Sequence, residues 1–215
     1  MDKKKRVSEI IAKLAPLYPG AKTALIYQTP FNLLVATILS AQCTDARVNI
    51  VTKDLFRKYK TVNDFADVSQ SELEQDIRST GFYRNKAKNI IASSKMLLEK
   101  YNSKVPDTME ELITLPGVAR KTANVVLSEA YNKVEGIAVD THVARLSQRL
   151  GLSAQNDPNK IEKDLMEMTK KEDWPKISNL LILHGRNICA AKKPRCSACV
   201  LGKICRSAFK IPGHI

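Results

Sequence analysis

Leu115-Pro116-Gly117-Val118-Ala119-Arg120-Lys121-Thr122-Ala123 joins two stretches of helical character, 107–114 before it and 119–131 after it. Pro-Gly punctuates the chain as a tight turn. Beyond it Ala123, Val126, Leu127 and Ala130 recur at i, i+3, i+4 and i+7, the spacing of one buried helix face. A helix that begins straight after a glycine turn offers unbonded backbone N–H groups and the positive end of its dipole. Glycine lets an anion approach that backbone closely. The stretch therefore predicts two helices joined by a tight hairpin, a form suited to receiving a phosphate. From Pro-Gly alone an ordinary turn between packed helices would be the better reading, and the full string is the more specific signal.

Helical signals continue outward in both directions. Thr29-Pro30 reads as an N-cap followed by proline at the first helical position. Residues 31–39 are then apolar nearly all round, as a central buried helix would be. Ser69 with Glu72, and Asp107 with Glu110, predict capping boxes. Gly81 predicts a helix stop. Asp157-Pro158 opens a helix bearing Ile161, Leu165 and Met168, and Ile177, Leu180, Leu181 and His184 mark the buried face of another. No run alternates convincingly as a strand. The chain is expected to be all-α, with about ten helices. No repeat, low-complexity segment or Pro/Gly-rich linker draws a domain boundary.

With 215 residues the chain can form one large domain or two modest ones. Lys and Arg number 35 against 22 Asp and Glu, a net charge of +13 that favours a polyanionic partner. Nucleic acid comes first and an anionic membrane second. No apolar run approaches the roughly 18 residues of a membrane span. The basic start, Asp2-Lys3-Lys4-Lys5-Arg6, is interrupted by Ser8, Glu9 and Lys13, so it reads as a solvated lead into a helix, not a signal peptide. A nuclear-localisation reading is the alternative. A cytoplasmic, nucleoid-associated monomer is expected.

Four cysteines, Cys189, Cys196, Cys199 and Cys205, fall within seventeen residues as C-x6-C-x2-C-x5-C. Disulfide frameworks belong to secreted chains. Structural zinc usually takes two short arms split by a longer spacer, and here Cys196 and Cys199 form the lone short arm. A compact loop of four thiolates suits an iron–sulfur cube better, with zinc as the alternative. Cys43 stands alone, which fits a reducing compartment.

Taken in order, Leu39-Ser40-Ala41-Gln42, Gly81-Phe82-Tyr83, the hairpin, Val139-Asp140-Thr141-His142, Leu183-His184-Gly185-Arg186 and the cysteine loop cover most of the chain. The series resembles the endonuclease III family of DNA glycosylases. Its hairpin resembles the helix–hairpin–helix, a sequence-independent DNA-binding element, with Ala119 standing where the family has a second glycine. The resemblance implies two lobes. One is a six-helix barrel domain over 23–134 that contains the helix–hairpin–helix. The other is a cluster domain built from 1–22 and 135–215, with DNA crossing the cleft. It also implies a [4Fe–4S] cluster on the four cysteines, and as partner double-stranded DNA containing damaged bases or abasic sites. The implied activity is removal of oxidised pyrimidines through a lysine Schiff base, followed by nicking 3′ to the site by β-elimination. Two alternatives remain, a monofunctional mismatch or adenine glycosylase of the same superfamily and a non-catalytic DNA-binding module. The former typically lack a lysine at position 121, and the pair Lys121 and Asp140 argues against the latter.

By residue alone, Lys121 reads as a phosphate contact in the first turn of a helix, and the resemblance makes it the Schiff-base nucleophile. An ordinary lysine, with pKa about 10.4, is overwhelmingly protonated at pH 7, whereas attack requires the neutral amine. Desolvation beneath bound DNA, with Arg120 nearby, has to supply the difference. Asp140 reads as an N-cap, and by resemblance as the carboxylate that takes the lysine proton and steadies charge on the sugar. Gln42 occupies a turn between helices, and the family places it in the gap left by a flipped base. Phe82 suits either the apolar contact of a helix C-cap, against Ile77, or a wedge between bases. Leu115, Gly117, Ala119 and Arg120 in the hairpin, and Lys192, Lys193 and Arg195 between the first two cysteines, are expected at DNA. His142 shares a helix face with Arg145 and Arg149 and is expected to extend that basic surface. His184 is expected to be a structural core residue.

Overall fold

The structure, a computed structural model, describes residues 2–213, and among these every regular element is helical. The chain divides into two compact units, one of Thr23–Glu135 and one of Met1–Lys22 with Gly136–Ile215.

The Thr23–Glu135 unit is organised around α2 (Pro30–Leu39), in which every residue from Phe31 to Leu39 is buried. Its start is fixed by Thr29, whose hydroxyl accepts the N–H of Asn32, with Pro30 at the first helical position. After α2 come α3 (Asp45–Lys58), α4 (Val62–Asp67), α5 (Gln70–Asp76), the long α6 (Tyr83–Tyr101), the single turn α7 (Met109–Leu112) and α8 (Arg120–Tyr131). Helices α4 and α5 pack along α6, while α2 packs on α8. Phe65 of α4 anchors an aromatic cluster with Phe31, Phe56 and Tyr59.

The second unit has its own core. Here α1 (Lys3–Leu14), α9 (Thr141–Arg149), α10 (Pro158–Met168) and α11 (Trp174–Asn187) bury Ile10, Leu14, Val143, Leu146, Ile161, Leu165, Ile177 and Leu181. Asp157 caps α10 as its sequence predicts, accepting the N–H of Lys160. Helices α9 and α11 cross closely at Gly185, where an added Cβ would lie 3.1 Å from His142 and Arg145 side-chain atoms.

Three local expectations are corrected. The cap before α7 is Thr108, not Asp107: the Thr108 hydroxyl accepts the Glu111 N–H, and Asp107 turns to Lys133 Nζ at 2.6 Å. Ser69 does cap α5, but Glu72 leaves its half of the box for Lys58 Nζ at 2.8 Å. A complete capping box forms instead at Thr61 and Asp64. Arg6, expected in a solvated lead, is buried and donates to the Leu150 carbonyl at 3.1 Å. No helix among the described residues is long and apolar enough to cross a membrane.

Candidate active site and nucleic-acid interface

The hairpin between α7 and α8 is built as its sequence dictates. Gly117 sits at φ +80°, and a Cβ there would meet Asn89 side-chain atoms at 2.9 Å, so both conformation and space require glycine. Ser93 Oγ donates to the Pro116 carbonyl at 2.7 Å, which pins the turn to α6. The N–H groups of Gly117 and Ala119 have no acceptor among the described residues. They stand at the start of a twelve-residue helix, the arrangement that binds an anion. Ala119 has φ −87°, ψ 168°, an extended conformation open to any residue. The missing second glycine therefore costs no backbone strain. Arg120 and Lys121 follow in the first turn of α8, both exposed, while Ala123, Val126 and Leu127 carry its buried face. Leu115 is a correction. Its side chain is 2% exposed and belongs to the core, and its N–H is taken by the Leu112 carbonyl, so it offers neither an open side chain nor a free amide.

Two exposed side chains project from strained turns of the same unit. Gln42, between α2 and α3, has φ 52°, and Phe82, just ahead of α6, has φ 48°. Phe82 is 63% exposed, so most of its ring is left open to solvent. A bare phenylalanine in a left-handed conformation is a poor choice for stability alone.

In the other unit Asp140 caps α9. Its Oδ1 accepts the N–H groups of His142 and Val143, each at 2.8 Å, and Oδ2 meets His142 Nδ1 at 3.2 Å. The approach to Asp140 is fixed as well. Ile137 and Val139 are buried, the Ile137 N–H donates to Glu162 Oε1, and Ser178 Oγ donates to the Ala138 carbonyl. One carboxylate oxygen is thus committed to the helix and the other is held by an imidazole. His142 faces Asp140 and is half-buried.

The four cysteines line one small pocket whose other walls include Ile188, Pro194, Ala208 and Ile211. Among the described residues, no three His, Cys, Asp or Glu side chains are placed to hold a single metal ion. Burial pushes the thiols of Cys199 and Cys205 up, and the neighbouring cysteines add to the shift. Four sulfurs around one apolar space, with no carboxylate among them, form a donor set for a soft metal group.

Two arginines that the sequence placed on a DNA-facing surface instead clamp this loop. Arg145 donates to the carbonyls of Gly185 and Cys189, and Arg149 to those of Ala190 and Ala191 and to Cys189 Sγ at 3.2 Å. His184 is the core residue expected of it. Burial lowers its pKa to about 4, so the ring is neutral at pH 7. Its Nε2 lies 3.2 Å from Cys199 Sγ and its Nδ1 3.2 Å from the Tyr18 hydroxyl, so the ring bridges the two groups, donating through whichever nitrogen carries its proton. Arg195 Nη2 donates to the Asn187 carbonyl and ties the loop to the end of α11. Lys192 and Lys193 are exposed on the same loop.

These features have counterparts in known proteins. Residues 35–171 match the model of the HhH-GPD superfamily base excision DNA repair proteins. Endonuclease III of Synechocystis sp. is 55% identical over 206 residues, covering 96% of this chain and 94% of its own length. Endonuclease III of Bacillus subtilis is 50% identical over 207 residues, covering 96% and 94%. A solved trapped endonuclease III–DNA covalent intermediate superposes with a TM-score of 0.93 at 48% identity, covering 98% of this chain and 99% of that one. The chain belongs to the helix–hairpin–helix superfamily of base excision DNA repair proteins, and within it to the endonuclease III family.

Proposed function

We propose that the chain is a base-excision-repair DNA glycosylase with AP lyase activity, that Lys121 is its nucleophile and Asp140 its proton acceptor, and that oxidised pyrimidines in duplex DNA are its substrates. One observation carries the reading: an exposed lysine in the first turn of α8, beside two unbonded hairpin amides, in a chain whose relative was trapped covalently on DNA.

The residues divide the work. Phosphate binds at the Gly117 and Ala119 amides, where the α8 dipole favours negative charge. Gln42 and Phe82 enter the duplex as the target nucleotide is flipped out. Lys121 Nζ, losing its proton to Asp140, attacks C1′. The glycosidic bond breaks and the damaged base leaves with its electron pair. Opening of the sugar ring gives an iminium between C1′ and Nζ. This withdraws electrons from C2′, whose proton is then lost, and the C3′–O bond breaks to release the 3′ strand. Hydrolysis of the iminium frees Lys121.

The cysteines hold a [4Fe–4S] cluster, which cross-links the C-terminal loop to α11. Around it Arg149 directs an N–H group at the Cys189 sulfur, and His184, with its proton on Nε2, would do the same at Cys199, so that both would support thiolate ligands. Protein purified without oxygen is expected to be brown, with about four irons per chain. Stoichiometric zinc without iron would overturn this part of the reading.

Lys192 and Lys193 stand free to meet phosphates on the same loop. Each phosphate contact contributes about −0.9 to the slope of log affinity against log salt. Replacing both lysines by Gln is expected to make the slope for undamaged duplex shallower by up to about 2. An unchanged slope would place the DNA away from the cysteine loop. The reading as a whole is tested by incubating the protein with a thymine glycol duplex and borohydride. A covalent protein–DNA adduct supports it, and base release with no adduct would make the enzyme monofunctional.

A further inference from the structure

Lys86 is 4% exposed on the inward side of α6, and no carboxylate among the described residues pairs with it. Burying an amine in this way is costly, and a methionine would fill the slot without the penalty. The amine makes two specific bonds. Nζ donates to the Leu39 carbonyl at 2.8 Å and to the Thr80 carbonyl at 2.8 Å. Leu39 is the last residue of α2, where carbonyls lack helical partners, and Thr80 closes the 3₁₀ turn Arg78–Thr80. Three residues past the first carbonyl stands Gln42, and two past the second stands Phe82. Both are exposed and both are left-handed, a conformation that non-glycine residues keep only where their surroundings hold it.

We propose that Lys86 is a positioning residue that sets Gln42 and Phe82 in register with each other, so that the two side chains enter a lesion-bearing duplex as one unit. The proposal rests on the reading above that these two side chains enter DNA. The next inward polar positions on α6 hold a different feature. Asn89 lies beneath Gly117, and Ser93 grips Pro116, so one helix indexes the wedge turns and the phosphate hairpin at separate points. Residues 86, 89 and 93 stand at i, i+3 and i+7 on that helix. Lys86 therefore governs opening of the stack, while Ser93 governs backbone binding.

The test compares wild type, Lys86→Met and Gln42→Ala/Phe82→Ala with the triple variant that combines them. One readout is 2-aminopurine fluorescence from the strand opposite a lesion, which reports unstacking. Another is kcat/KM on the lesion duplex, and a third is borohydride trapping on a single-stranded abasic oligonucleotide, which needs no stack opened. Lys86→Met is expected to lose the fluorescence change and about 10–100-fold in kcat/KM, the scale of a misplaced positioning group. Its trapping on the single strand should stay within about twofold. In the Gln42→Ala/Phe82→Ala background, Lys86→Met should add less than about twofold, because its effect runs through those two residues. The same loss in both backgrounds, or a parallel loss on the single strand, overturns the proposal and leaves Lys86 as a fold-stabilising residue. A double variant with an intact fluorescence change removes the wedge reading itself and the proposal with it. Should Lys86→Met fail to fold, Lys86→Arg and Lys86→Gln carry the same comparison between backgrounds.

Discussion

Lys121→Gln is expected to abolish both borohydride trapping and strand nicking while lesion-duplex binding survives. Lys121 is exposed and lies off the buried face of α8, so its replacement leaves the packing of Ala123, Val126 and Leu127 untouched. Glutamine has nearly the helix propensity of lysine, and removing a cation from a helix start is mildly favourable. The fold should therefore persist, with an unchanged melting midpoint. The hairpin amides remain, so affinity for undamaged duplex should fall only by the loss of one phosphate-side cation. The chemistry should fall much further. An amide nitrogen cannot form an iminium, and loss of a covalent nucleophile typically costs at least about 10³-fold. The gap between intact binding and absent trapping is what separates a nucleophile from a phosphate contact. If Lys121→Gln still traps and nicks normally, another amine does the chemistry and the assignment of roles collapses.

What the sequence made legible was local. Thr29-Pro30, Asp157-Pro158 and the apolar run of α2 are each decided by residues within one or two helical turns, and each stands as its pattern requires. The same holds for the hairpin, whose one departure, Ala119, proves conformationally neutral because the position is extended. What the sequence hid was partnership at a distance. Lys86 meets Leu39 across 47 residues, and Arg145 meets Cys189 across 44. No spacing rule reaches that far. Arg145 and Arg149 share a face of α9 and so resembled an open basic patch, yet that face looks onto the cysteine loop. Lys86 had a faint signature, a lysine directly before the buried Ala87 and one turn ahead of Ile90, out of place on an apolar stripe. Competition between near neighbours explains the misplaced caps. Thr108 stands one residue after Asp107 and wins because Asp107 has a lysine partner in Lys133.

Asp140→Asn separates the two duties of that side chain. The capping duty uses Oδ1, which accepts two backbone N–H groups at 2.8 Å. An asparagine carbonyl accepts the same pair, and asparagine caps helices about as well as aspartate. The new amide would face His142 Nδ1, which a neutral imidazole can meet as an acceptor. Thermal stability should therefore change little. The chemical duty is lost, because an amide neither takes a proton from Lys121 nor offsets positive charge growing on the sugar. Base release from a thymine glycol duplex is expected to fall by about 10²–10⁴-fold, the usual range for a positioned acid–base group. Nicking of a pre-formed abasic site should fall much less. There the aldehyde is already electrophilic, no base has to be expelled, and a solvent proton acceptor suffices for imine formation. Single-turnover rates on the two substrates, measured side by side with melting midpoints, decide the matter. Equal losses on both would mean that Asp140 serves the lyase step as much as the glycosylase step. A large drop in stability with proportionate losses would reduce Asp140 to its cap.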